Sequence, residues 1–393
     1  MADKDDLKKT LNLPKTGLAM KANLPLNEPA RLAKWDSIDL YGQIRRKTAG
    51  RKKFVLHDGP PYANGHIHIG HALNKILKDI VVKSRTMMGY DSPYVPGWDC
   101  HGLPIEHRVD KELGPKKKEM SAVEFRRACR DFAGKFVDLQ REDFKRLGVL
   151  GDWANPYTTM TYGYEADIAD ALGRFFKEGL VYKGLKPVHW CTHCQTALAE
   201  AEVEYDDHTS PSVFVRFPLG KDAAETLGIA SGEAAFAVIW TTTPWTLPAN
   251  LAIALHPSHD YALVRVPEGL HIVAQELLES VAKKAGWTDP QVVRTFKGPE
   301  LDRKHYRHAF LDREGIFVVG EHVTLEAGTG LVHTAPGHGA DDYRLGVEYG
   351  LEVYTPVNHR GEFTPDVAEW AGIHVFKANP LIVEAMKERG VLL

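Results

Sequence analysis

Two histidines three residues apart, His68 and His71, follow a Pro/Gly turn in the string Pro60-Pro61-Tyr62-Ala63-Asn64-Gly65-His66-Ile67-His68-Ile69-Gly70-His71. A helix that starts there offers unpaired N–H groups and the positive end of its dipole, a site for phosphate. Gly70 has no side chain to occupy the space a nucleotide would need. His68 and His71 can donate hydrogen bonds to phosphate oxygens as charge grows on them during attack at an α-phosphate. That is electrostatic stabilisation, and it requires no general base. The plain alternative is a pair of histidines that merely opens a helix. Strand context and turn glycines agree with the motif, which favours the phosphate site.

The elements that must hold these residues are legible on either side. Residues 52–57 read as a short apolar strand, ended by Asp58-Gly59-Pro60-Pro61. Leu73, Ile76, Leu77, Ile80 and Val81 recur at helical spacing between Gly70 and Met88, and residues 92–98 form a second extended segment. Strand, turn, helix, strand is half of a doubly wound α/β unit. Ahead of it, residues 1–45 form an N-terminal extension in which Pro14, Pro25 and Pro29 break any long periodicity. Within it, Leu32, Trp35, Ile38, Tyr41 and Ile44 predict one short amphipathic helix. Further helices are expected over 119–148, on Phe125, Phe132, Phe136, Leu139 and Phe144, and over 164–178. After about residue 200 short strands appear (213–217, 234–240, 261–266, 315–319), separated by Pro/Gly turns, the texture of a mostly β domain. A boundary near 200–206 gives domains at 46–200 and 201–393.

The bulk numbers exclude little. The 393 residues, 44% hydrophobic, suffice for two or three domains with their own cores. Lys and Arg total 49 against 52 Asp and Glu, so net charge neither suggests nor excludes a nucleic-acid partner. No apolar run approaches a membrane span, and the start Met1-Ala2-Asp3-Lys4-Asp5-Asp6 lacks a secretory signal. Four cysteines make no disulfide framework, so a cytoplasmic location is expected.

His68-Ile69-Gly70-His71 resembles the HIGH signature of class I aminoacyl-tRNA synthetases. The wider string from Asp58 to His71, then Asn74-Lys75-Ile76-Leu77-Lys78-Asp79 and Pro96-Gly97-Trp98-Asp99-Cys100-His101-Gly102-Leu103-Pro104-Ile105-Glu106, is similar to the bacterial isoleucyl group. The resemblance implies an α/β fold: the first half of a class I Rossmann-type nucleotide-binding domain with an inserted mostly-β editing domain. It implies His68 and His71 as catalytic residues, and ATP with Mg2+ at Pro61, Asn64, Gly65, His68, Gly70 and His71. It places isoleucine at Gly59, Pro61 and Asp99, with Asp99 on the α-ammonium and Pro61 lining the side-chain pocket. A carboxylate facing an ammonium is reasonable, since each offsets the other's desolvation. The alternative for Asp99 is a turn residue after Trp98.

The later region resembles the editing insertion of the same family. Trp240-Thr241-Thr242-Thr243-Pro244-Trp245-Thr246-Leu247-Pro248-Ala249-Asn250 is similar to its threonine-rich segment, and Gly328 through Tyr343 to its second signature. A hydrophobic slot separates isoleucine from valine by only about 1–3 kcal/mol, the standard example of that limit, so a second hydrolytic site is the remedy. Threonine hydroxyls donate and accept, which suits holding a water or a ribose beside an ester. The resemblance implies editing roles for Thr241, Thr242, Thr243, Asn250, His333 and Asp342. Asp342 would grip the free ammonium, His333 would border the pocket, and Thr243 would exclude isoleucine by bulk. Water attack on an ester needs orientation more than a Ser/His/Asp triad. The plain alternatives are an ordinary strand threonine run and an Asp that caps a helix.

Cys191-Thr192-His193-Cys194 could supply two thiolates to zinc, which needs four ligands, or could be a structural turn. A redox pair would sit at a helix start, whereas the residues before Cys191 read as extended. The second family signature, Lys-Met-Ser-Lys-Ser, does not occur, so the expectation is an amino-terminal piece of an isoleucine–tRNA ligase that does not form isoleucyl-adenylate alone. The expected partners are tRNA(Ile), isoleucine and ATP, with no membrane and no DNA, and a monomer is expected. The competing expectations are a stand-alone deacylase of Val-tRNA(Ile) and a non-catalytic tRNA-binding fragment.

Overall fold

The computed structural model describes residues 10–12, 16–18 and 21–393; Met1–Asp6 and Pro14 lie outside the described residues. Internal contacts divide the chain into two compact units, Met1–Tyr182 and Lys183–Leu393. The position read at 200–206 thus falls inside the second unit, because the hairpin with the cysteine pair packs there. Trp190 Nε1 donates to the His359 carbonyl at 2.8 Å.

Among the described residues the first helices are α1 (Leu24–Ser37) and α2 (Leu40–Thr48), where one was expected over this stretch. Asp39 breaks the periodicity: it sits at φ 46° and its carboxylate caps α2 by accepting from Gly42 N at 3.2 Å. Pro25 and Pro29 lie within α1 and do not end it; Pro25 stands in the first turn, where N–H groups have no helical partner.

Three extended segments then run parallel. Residues 52–62 bridge to 91–99 at Lys53–Asp91 and Tyr62–Asp99, and β1 (Gly97–Trp98) pairs with β2 (Tyr157–Thr158). The segment 52–57 is therefore extended but makes one bridge instead of a full ladder. Pro60 and Pro61 on one side and Pro93 and Pro96 on the other lack the N–H donors a longer ladder needs. Helix α3 (Ile69–Met87) makes the crossover between the first two segments, followed by α4 (Leu103–Leu113), α5 (Ala122–Arg146) and α6 (Tyr162–Lys177). Ser121 and Glu124 cap α5 reciprocally. Trp98, Ile105, Val109, Ala133, Val137 and Phe144 form the core beneath the segments.

The second unit is mostly β. Its hairpin β3 (Trp190–Cys191) and β4 (Thr196–Ala197) precedes β5 (Val213–Pro218), the short α7 (Lys221–Thr226), β6 (Ala235–Thr241), β7 (Ala252–Leu255), β8 (Asp260–Val266) and β9 (Gly269–Ala274). Then come α8 (Leu278–Ala285), β10 (Gln291–Lys297), β11 (His305–Arg307), β12 (Glu314–Val319), β13 (Val332–Thr334), α9 (Ala340–Tyr349) and α10 (Val375–Glu388). One sheet has the order β10-β8-β9-β6-β5, the other β11-β12-β7-β13. Val215, Phe217, Ile239, Leu255, Ile272 and Phe317 fill the core, which α10 closes with Ile382 and Met386. The four strands read from sequence are β5, β6, β8 and β12. β7 was not read: Ala252–Leu255 is buried at every position and shows no alternation.

Candidate functional site

In the first unit the chemistry gathers at the start of α3. His68 is the N-cap residue, and its Nδ1 accepts from Gly70 N at 3.1 Å. His71 Nδ1 accepts in turn from His68 N at 3.3 Å, a reciprocal cap built from two imidazoles whose centroids lie 3.9 Å apart. With both Nδ1 atoms accepting, each neutral ring carries its proton on Nε2, and both Nε2–H groups remain as donors. Burial, then the neighbouring His68 and Lys75, lower the pKa of His71, so its neutral donor form prevails at pH 7. A Cβ at Gly70 would meet the His68 ring at 2.9 Å, so this glycine lets the cap close.

The preceding loop is pinned from behind. Gln140, fully buried on α5, donates to the carbonyls of Tyr62 at 3.1 Å and Gly65 at 2.7 Å and accepts from Trp98 Nε1 at 3.0 Å. Asp58, also buried, binds Lys75 Nζ, Lys78 Nζ at 2.7 Å and Gly97 N at 2.9 Å. Burial pushes its carboxyl up, but Lys75, Lys78 and the Gly97 N–H outweigh burial and hold it below the usual range. Lys78 also donates to the Gly59 carbonyl at 2.9 Å, which ties α3 to the loop. A Cβ at Gly97 would lie 2.0 Å from the Tyr157 ring, so only glycine fits there. Asp99 lies beside the loop: Asp99 N donates to the Pro61 carbonyl and Ala63 N to the Asp99 carbonyl, both at 2.9 Å. Its half-buried carboxylate accepts from Thr159 Oγ1 and His101 N, each at 3.3 Å. Gly59, Pro61 and Asp99 are thus on adjoining segments, while Asn64 and Gly65 lie between them and the histidines.

Gln140, Asp58 and Lys75 were not singled out from sequence. The signal for Gln140 was present: Phe132, Phe136, Gln140 and Phe144 fall on one helical stripe, and a lone polar residue in an apolar stripe needs a partner.

In the second unit Trp240, Thr241, Thr242, Thr243, Thr246, Val332, His333, Ala335, His338 and Asp342 line a cavity of about 230 Å³. The end of β6 delivers the threonines, β13 delivers His333, and the first turn of α9 delivers Asp342. The turn Pro244–Ala249 is anchored to α10, where Asn379 Oδ1 accepts from Trp245 N at 2.9 Å. Thr241 Oγ1 and Thr243 Oγ1 are 3.1 Å apart, and Thr243 N donates to Thr241 Oγ1 at 3.0 Å. His333 is bonded at both nitrogens, to Thr246 Oγ1 at 3.0 Å and Asn250 Nδ2 at 2.9 Å. Burial drives its pKa down to about 3 and that of His338 to about 4, so both rings are neutral. Asp342 accepts from Ala335 N at 2.9 Å, yet burial outweighs this bond and raises its pKa. A cation placed against it would restore the charged form. Asn250 is not on the cavity wall; it stands behind His333. Thr246 and His338 are lining residues that sequence reasoning did not assign.

Cys191 and Cys194 lie on and just after β3, and Cys191 Sγ accepts from Cys194 N at 3.3 Å. That bond, more than any other influence, lowers the Cys191 pKa. Among the described residues no group of three or more His, Cys, Asp or Glu is arranged to hold a metal ion. The pair therefore supplies at most two of the four ligands zinc requires. No described helix is long and apolar enough to cross a membrane.

Comparison with known proteins gives the family. The chain is 55% identical over 384 residues to isoleucine–tRNA ligase of Syntrophomonas wolfei, covering 98% of this chain and 41% of that protein. It is 54% identical over 388 residues to that of Geobacter sulfurreducens and 56% identical over 397 residues to that of Alkalilimnicola ehrlichii, each covering 99% of this chain and 42% of the relative. The chain thus spans about two fifths of the length of these curated relatives. The sequence model described as tRNA synthetases class I (I, L, M and V) matches residues 30–371. The chain belongs to the class I tRNA synthetases, the family of the I, L, M and V enzymes.

Proposed function

We propose that this chain carries two working parts of an isoleucine–tRNA ligase: the loop that activates isoleucine with ATP and the pocket that hydrolyses valine attached in error to tRNA(Ile). In the first part ATP lies along Pro61, Asn64, Gly65 and Gly70, and the Nε2–H donors of His68 and His71 meet the phosphate oxygens where charge develops. Mg2+ bound with ATP would offset the charge of the phosphates. Gly59 and Pro61 border the isoleucine side chain and Asp99 takes its ammonium. In the complete ligase the isoleucine carboxylate would attack the α-phosphate with pyrophosphate leaving, and the acyl group would then pass to a ribose hydroxyl of tRNA with AMP leaving; this chain alone is expected not to form the adenylate. Such a reaction belongs in the cytoplasm.

The observation that carries the second part is the hydroxyl-lined cavity of about 230 Å³ with a raised-pKa carboxylate on its wall. Asp342 receives the ammonium of the misplaced valine, and Thr241, Thr242 and Thr243 hold the ester and its attacking water. Water adds to the carbonyl carbon, the bond to the ribose oxygen breaks, and the water's proton ends on that oxygen. Thr243 leaves no room for the extra methylene of isoleucine. Every lining residue lies within Lys183–Leu393. Cys191 and Cys194 are held open as half of a zinc site or as a turn, and no step depends on them.

The test is hydrolysis of Val-tRNA(Ile) and Ile-tRNA(Ile) by the full chain, with Thr243→Arg and Asp342→Ala beside it. Loss of the valyl ester alone, abolished in both variants, supports the reading. Equal hydrolysis of both esters, or hydrolysis indifferent to Asp342, refutes it.

A further inference from the structure

Behind the threonine cavity lies a chain of hydrogen bonds whose direction is fixed from both ends. The Ala252 carbonyl can only accept, so the Asn250 atom 2.9 Å from it is the amide Nδ2. Asn250 Oδ1 then faces the Tyr306 hydroxyl, which donates at 2.6 Å. The other Nδ2 hydrogen points to His333 Nδ1, which must carry a lone pair, leaving the ring proton on Nε2. His333 Nε2–H donates to Thr246 Oγ1 at 3.0 Å, and Thr246 gives its own hydrogen to the Thr243 carbonyl at 2.8 Å, again a group that only accepts. Each link agrees with the next, and the chain ends at the cavity wall, where the Thr241 and Thr243 hydroxyls are bonded to each other at 3.1 Å.

Tyr306 is fully buried and Asn250 nearly so, and neither lines the cavity. The surroundings are built around the Tyr306 hydroxyl. Phe217 and Phe317 pack edge-on against its ring at 5.5 and 5.3 Å, and a Cβ at Gly315 would sit 2.3 Å from its oxygen.

We infer that Tyr306 and Asn250 are positioning residues that hold His333 as its Nε2–H tautomer and thereby aim the Thr246 and Thr243 groups of the pocket. His333, with both nitrogens engaged inside the protein, is a strut between Asn250 and Thr246 and carries no proton during ester hydrolysis. The functional half of this inference rests on the hydrolytic reading of the pocket; the tautomer does not.

The test uses the full chain with 15N-labelled histidine. Wild type shows the His333 proton on Nε2 at pH 7. Asn250→Asp replaces the donor with a carboxylate of the same shape, and moves the proton to Nδ1 or adds a second one. Tyr306→Phe keeps the Nε2–H form but lowers valyl-ester kcat about tenfold with KM changed less than twofold, as loss of one buried hydrogen bond allows. A wild-type His333 protonated on Nδ1, or an Asn250→Asp chain with an unmoved tautomer, overturns the relay. A wild type with the Nε2–H tautomer and no ester hydrolysis upholds the relay and overturns the hydrolytic reading.

Discussion

Asp342 is the residue on which the hydrolytic account turns. Burial raises its pKa, so the pocket resists the charged carboxylate and an arriving ammonium relieves that resistance. A raised acid favours the folded state below its unfolded pKa, and this contribution is lost as pH rises through the folded value. Asp342→Asn is therefore expected to unfold no more readily than wild type at pH 7, while valyl-ester hydrolysis falls about 10–100-fold, the size of a lost charged hydrogen bond. Melting and deacylation on the same preparation check both halves. Thr243→Ala carries the complementary expectation: the cavity gains the space of a methyl and a hydroxyl, and isoleucyl-ester hydrolysis rises roughly tenfold or more, the scale of one methylene in a pocket. An unchanged isoleucyl rate would remove Thr243 from the selectivity argument.

At the scale of elements, the loop from Asp58 to Gly65 is positioned by two buried polar anchors, the Asp58–Lys75–Lys78 cluster and Gln140. Gln140→Leu leaves two loop carbonyls and the Trp98 indole N–H without their partner, a loss of at least about 2 kcal/mol. Denaturant unfolding of the full chain measures it, and ATP protection of the loop against proteolysis is expected to weaken in parallel. The α3 start was legible because its glycines, prolines and histidines act locally. The four strands β5, β6, β8 and β12 were legible from apolar runs between turns. β7 was not, since a strand buried on both faces loses its alternation, and Asp39 hid the break between α1 and α2 inside an unbroken three-residue rhythm. In the pocket, Thr241, Thr243, His333 and Asp342 were readable as a set only through family resemblance, because β6, β13 and α9 are brought together by the sheets and not by sequence proximity. Tyr306 had no local signal at all: its role exists only once β11 faces Asn250.

Across the whole molecule, the second unit holds four neutral histidines, three buried and His338 half-buried; the pKa values of His271 and His338 are lowered to about 4 and those of His308 and His333 to about 3, all chiefly by desolvation. The unfolded chain binds protons at these rings first, so their contribution is intact above about pH 6.5 and is lost as pH falls toward 4. Each ring removes about 1.4 kcal/mol per pH unit across that window. The urea midpoint of this unit is expected to fall steeply between pH 6.5 and about 4.5, and a flat profile would contradict the burial of these rings. The central claim is that the chain brings a valine-selective hydrolytic pocket to a class I synthetase. The measurement closest to it is the paired hydrolysis of Val-tRNA(Ile) and Ile-tRNA(Ile) by wild type and Asp342→Ala. The account requires the valyl ester to be lost much faster than the isoleucyl ester, and only with Asp342 present. Valyl-ester hydrolysis that survives Asp342→Ala, or that does not occur in wild type, contradicts it.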